Sequence, residues 1–235
     1  MIGRFVGIAF DGVAYGSLLF LISVGLSVTM GLMNFVNLAH GAFAMLGGYL
    51  CVALMSRAGV PFLATLPIVF VAVGVAGALL ERTLYRRLYR AGHLDQVLFS
   101  IGLVFMSVGA ATYLAGAGEQ RVELPAYMRG QIHLFGVDAG IYRLFLIALV
   151  VLITLGVRYL VERTRFGAQV RAAVDNQAVA AAVGVDVALV FTATFALGTA
   201  LAGVGGALAI DVLGLDPTFP LKYIVYFLLA VTVGG

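Results

Sequence analysis

Gly31 to Leu50 reads GLMNFVNLAHGAFAMLGGYL, a polar insertion in an otherwise apolar region. At about 100° per residue, Asn34, Asn37, His40, Gly41, Ala44, Gly47 and Gly48 fall within an arc of roughly 140°. Phe35, Val36, Leu38, Phe43, Met45, Leu46, Tyr49 and Leu50 fill the other side. The pattern predicts a helix with one small, polar face, starting after a turn at Gly31 and running to Met55. In hydrocarbon an amide or imidazole leaves its donors unpaired, so such a face turns towards other helices or a wet path. Two readings stand for Asn34, Asn37, His40, Gly41, Ala44 and Gly48: a packing stripe with satisfied polar groups, or the lining of a wet path or of an interface with another subunit.

The flanking sequence supplies the membrane. Of 235 residues, 63% are hydrophobic and 11% charged, and the mean hydropathy is +1.10. A hydrocarbon core about 30 Å thick takes roughly 20 apolar residues per helix. Such runs occur at Phe5 to Met30, Phe62 to Leu80, Val97 to Leu114, Tyr142 to Leu160 and Val187 to Ile210, besides the opening stretch, and another starts at Tyr223. The fold class is therefore all-α: a polytopic transmembrane bundle of six complete spans plus a truncated seventh, within a single domain over 1–235. The first run is too long for a signal-peptide core and stays as an uncleaved span.

Between the spans, ERTLYRRLYRAGHLDQ places Leu84, Tyr85, Leu88 and Tyr89 on one side and arginines that can snorkel to headgroups on the other, which predicts a helix lying on the membrane surface. A polar loop follows over Gly116 to Gly140. A connector over 161–187 carries Asn176 as an N-cap and Gly184 as a left-handed C-cap, giving a short helix from Gln177 to Val183. Gly198, Ala202 and Gly206, four apart, form a ridge that lets another helix approach closely. Arg82, Arg86, Arg87 and Arg90 mark one dense basic loop and Arg158, Arg163, Arg165 and Arg171 another. Both should face the cytoplasm, which puts the N-terminus outside.

What is missing narrows the function. No G-x-x-x-x-G-K-[ST] loop is present, and Lys222 is the sole lysine, so the chain does not bind a nucleotide in that way. His40, His93 and His133 lack metal-ligand spacing, Cys51 stands alone, and no nucleophile–base grouping sits in the spans. No metal, cofactor or catalytic residue is expected. Asp11 is the one acid near a span, best read as a residue of the outer interface, and a proton-coupled carrier usually needs more buried ionisable groups.

In order and spacing, GLMNFVNLAHGAFAMLGGYL, ERTLYRRLYR leading into LFSIGLVFMSVG, and RTRFGAQVRAAVDNQAVAAAVGVDV resemble the membrane permease subunits of bacterial branched-chain amino-acid ABC importers. The likeness covers nearly the whole chain and is most specific at NLAHGAF and RFGAQVRAAVDNQAVAAAVGV. It implies a heterodimer with a second related permease, two cytoplasmic ATPase subunits, a periplasmic substrate-binding protein and a place in the inner membrane. It also implies that Arg165 to Gly184, with Arg165, Gly167, Arg171, Asp175, Asn176, Ala180 and Gly184, couples to an ATPase. Permeases of this type continue past the Gly-Gly that ends this chain, so the sequence is expected to lack a C-terminal helix. The competing classes are a stand-alone secondary carrier or channel and a membrane-embedded enzyme; a coupling-like connector beside no local motor favours the importer subunit.

Overall fold

A computed structural model describes residues 2–33, 37–89, 91–134 and 137–234. Nine α-helices of six or more residues occur among them: α1 (Ile2–Met33), α2 (His40–Ala58), α3 (Phe62–Leu80), α4 (His93–Ala115), α5 (Ile141–Arg163), α6 (Arg165–Asp175), α7 (Gln177–Ala182), α8 (Val187–Leu213) and α9 (Phe219–Gly234). Among the described residues six segments are long and apolar enough to cross a membrane: Phe5–Met30, His40–Ala58, Phe62–Leu88, His93–Ala115, Ile141–Arg163 and Val187–Leu213. The helical bundle expected from hydropathy is the architecture observed.

Helix α8 is the axis, with α1, α2 and α3 packed around it. Lipid offers no hydrophobic drive for helices to associate, so close backbone approach and dispersion must hold them together. Glycine permits that approach here. A methyl group added at Gly206 would overlap the Ala44 carbonyl of α2, one at Gly47 would overlap the Gly203 backbone, and one at Gly25 of α1 would overlap Gly198. Gly77 of α3 meets Thr199 in the same way. Ala202, between these contacts, is fully buried. Gly198 and Gly206 thus face different partners, α1 and α2, so the ridge read from their spacing serves two interfaces.

Two expectations are corrected. The segment after α3 is not a separate surface helix: Glu81–Tyr85 continues α3 as one π-helical turn, followed by Arg86–Leu88 in α-helix. Tyr85 is fully buried, between Phe99 and Phe195 with ring centroids 5.3 and 4.8 Å away. Nor does α1 break at Gly31; it runs on to Met33. The Gly116 to Gly140 loop contains a hairpin, β1 (Gln131–Leu134) antiparallel to β2 (Val137–Gly140). It is anchored to the bundle through Gln120, whose N–H donates to the Leu215 carbonyl. At the same end the Tyr142 hydroxyl donates to the Leu208 carbonyl at 2.7 Å, and Asp11 pairs with Arg143.

Candidate functional site

The polar insertion is a break between helices, and its position inside the bundle follows from one hydrogen bond. His40, the first residue of α2, places Nε2 2.9 Å from the Ile22 carbonyl. Ile22 lies eleven residues before the end of α1 at Met33, or about 16 Å of helix. Helix α2 therefore begins beside the middle of α1, inside the bundle and not at the level of Met33. Backbone outside a helix is tolerated at membrane depth only where protein encloses it. Asn37, Ala39 and His40 are each no more than 1% exposed.

Asn37 substitutes for a helix cap. Ala39 itself offers no capping side chain, and the Asn37 Oδ1 accepts from the Ala39 N–H at 3.1 Å and from the Tyr85 hydroxyl at 3.0 Å. Because His40 Nε2 must donate to a carbonyl, a neutral imidazole carries its proton there, and Nδ1 is left as an acceptor. That Nδ1 and the Asn37 Nδ2 have no partner among the described residues.

The sequence expectation of one continuous helical face is therefore corrected: Asn37 precedes α2, and Asn34 lies outside the described residues. The rest of the face packs within the chain. Gly41 meets Pro220 and Phe227 of α9, Gly48 meets Leu215, and Ala44 and Gly47 meet α8.

Next to the break lies a group that the sequence reading treated as part of a surface helix. Glu81 is 1% exposed. Its Oε1 accepts from the Tyr89 hydroxyl and its Oε2 from the Thr192 hydroxyl, both at 2.6 Å. Thr192 also lies 3.0 Å from the Ala188 carbonyl, but a hydroxyl has one proton, and the carboxylate is the closer and more strongly charged acceptor. Tyr85, at the other end of the same π-helical turn, holds Asn37. The turn thus ties the start of α8 to the start of α2. A π-helical turn and a carboxylate inside a span are each features that concentrate at functional sites.

The connector contains two helices where one was expected. Thr164 caps α6 by accepting from Gly167 N–H at 3.1 Å, Asn176 caps α7 by accepting from Val179 N–H at 3.0 Å, and Asp186 caps α8. Gly184 ends α7 with φ of 91°, the left-handed conformation read from its position. Gly167 is buried where any side chain would strike the Val161 carbonyl, and Arg171 donates to that same carbonyl. Ala180 is 2% exposed, so it packs within the chain and is not part of the connector's outward surface. The outward groups are Val174, Val179 and Val183, at 48%, 58% and 74% exposure, with Arg165, Asp175 and Asn176 also exposed.

The family described as branched-chain amino acid transport system, permease component, matches residues 8–235. Among curated proteins, the chain is 27% identical over 205 residues to the probable branched-chain amino acid transport permease protein LivH of Methanocaldococcus jannaschii, covering 83% of this chain and 63% of that protein. It is 28% identical over 214 residues to the high-affinity branched-chain amino acid transport system permease protein LivH of Escherichia coli K12, covering 85% and 68%. To BraD of Pseudomonas aeruginosa, which carries the same description, it is 25% identical over 209 residues, covering 84% and 68%. The chain thus spans about two thirds of the length of these relatives, and less of the first. No solved structure matches it.

Proposed function

Because the chain belongs to the family of branched-chain amino acid transport permease components, we propose that it is the membrane-spanning subunit of an ABC importer for branched-chain amino acids. It lies in the bacterial inner membrane with its N-terminus outside. A second related permease completes the translocation unit, a periplasmic protein delivers the solute, and two separate cytoplasmic subunits hydrolyse ATP. The chain itself is not an enzyme.

The observation that supports this reading best is the connector. Outside the spans, Val174, Val179 and Val183 expose apolar surface on two capped helices set between α5 and α8. Apolar surface gathered at one place outside the spans marks a site where a partner docks. The partner is the ATPase, and the lever it pushes continues into α8, where Thr192 holds Glu81 and, through the π-helical turn, the α1–α2 break. We assign the solute path to the neighbourhood of that break, with Asn37 and His40 as its polar groups, closed in the packing described above.

The test is uptake of labelled leucine into proteoliposomes. Accumulation should require ATP and the co-reconstituted ATPases, and the chain alone should neither hydrolyse ATP nor concentrate solute. Accumulation by this chain alone, driven by a proton or sodium gradient, would overturn the importer reading.

A further inference from the structure

Between α2 and α4 runs a groove of about 410 Å³, open along one side. On α2 its wall is a stripe one helical turn apart, from Ala42 through Leu46 and Ala53 to Arg57; on α4 it extends from Leu103 to beyond Ala111. Ala42 to Arg57 is about 22 Å of helix, so the groove is elongated along α2.

The groove is also polarised. Its walls are apolar along nearly the whole length, and its single charged group, Arg57, stands at the end next to the Gly59–Pro61 loop. Among the described residues no carboxylate lies within ion-pair distance of Arg57. In α2, Arg57 belongs to the last turn, where the apolar span gives way to the interface. An apolar slot about as long as a bilayer leaflet is deep, with a guanidinium at its mouth that no described carboxylate pairs, matches the chemistry of an anionic amphiphile. We propose that the groove between α2 and α4 holds one acyl chain of an anionic phospholipid, whose phosphate pairs with Arg57. Guanidinium suits phosphate because its fork of donors matches two oxygens at once.

The chain contains no tryptophan, so Leu46→Trp, at a groove position 44% exposed, installs a sole fluorescent reporter at the lip. Leu152→Trp on α5, at a position 66% exposed, installs a control on an open surface. Each full-length variant is reconstituted in phosphatidylcholine vesicles containing a minor fraction of either phosphatidylglycerol or phosphatidylcholine brominated on its chains. At the groove, brominated phosphatidylglycerol should quench more efficiently than brominated phosphatidylcholine by about fivefold, the ratio equivalent to about 1 kcal/mol for one basic residue at an anionic surface. The control should show no preference. Arg57→Gln in the reporter chain should abolish the preference and Arg57→Lys should keep most of it. Equal quenching by the two lipids, or a preference that survives Arg57→Gln, overturns the proposal. So does protection of the reporter by leucine without any lipid dependence, which would make the groove a solute site.

Discussion

Thr192→Val removes one of the two hydroxyl donors held by Glu81 while keeping the side chain's shape. The carboxylate stays 1% exposed, so water cannot take over the lost bond without opening the contact between α3 and α8. Hydrogen bonds to charged groups contribute about 1.5 to 3 kcal/mol, and the substitution should lower the folding equilibrium constant about 10- to 150-fold. Glu81→Gln keeps a carbonyl acceptor but not the charge, so Thr192→Val in that background should cost only about 0.5 to 1.5 kcal/mol. Combining Thr192→Val with Glu81→Met removes both polar partners, and the pair should be milder than the sum of the two single changes. The measurement is unfolding in mixed micelles by titration with dodecyl sulfate, followed by circular dichroism, for the six chains of the two cycles. A coupling of less than about 0.5 kcal/mol, within the additivity of independent sites, would refute the claim that this carboxylate joins the two helices.

The backbone seam should be equally sensitive: Gly206→Val drives a side chain into the Ala44 carbonyl and should cost at least about 1 to 3 kcal/mol, read as loss of monodisperse protein after heating, whereas Gly12→Ala, with nothing within 4 Å, should be tolerated. At the connector, Val183→Asp should leave stability within about 0.5 kcal/mol yet reduce ATPase co-purification, while buried Ala180→Trp should destabilise the chain itself by about 1 to 3 kcal/mol. Burial opposes the charge on Asp216, but hydrogen bonds from Lys222 and Thr218 outweigh it and hold the carboxyl below the usual range. Its stabilisation is therefore complete above the unfolded pKa of about 3.9 and lost as pH falls through the lower folded value, and Asp216→Asn should flatten that part of an acid-unfolding curve. With Cys51 replaced, Asn37→Cys and Ala44→Cys should resist a polar thiol reagent in the isolated chain and label once the ATPases turn over, since both positions are buried at rest.

The spans and the caps were legible because their causes are local. Hydrocarbon thickness demands long apolar runs wherever the chain folds, and the Asn176 and Gly184 caps act within a few residues of their own helix. The start of α2 has a distant cause. The 100° pattern runs through Asn34 and Asn37 as if the helix began at Gly31, but the bond from His40 to Ile22, eighteen residues back, sets where the helix begins. A periodicity count has no way to register that bond. Glu81 was hidden by its neighbourhood: beside four arginines it reads as a surface charge, and the hydroxyl that makes it an interior one comes from Thr192, 111 residues further on. The same distinction bears on how the chain would move. Contacts made by glycine against backbone, such as Gly206 on Ala44, admit one spacing and resist sliding, so α8, α2 and the middle of α1 should move together. The hydrogen bonds of Glu81, Tyr85 and Asn37 join groups that can exchange partners. A push on the connector that rotates the start of α8 therefore acts first on Thr192 and Glu81, and only through Tyr85 on Asn37, the cap on which the first turn of α2 rests.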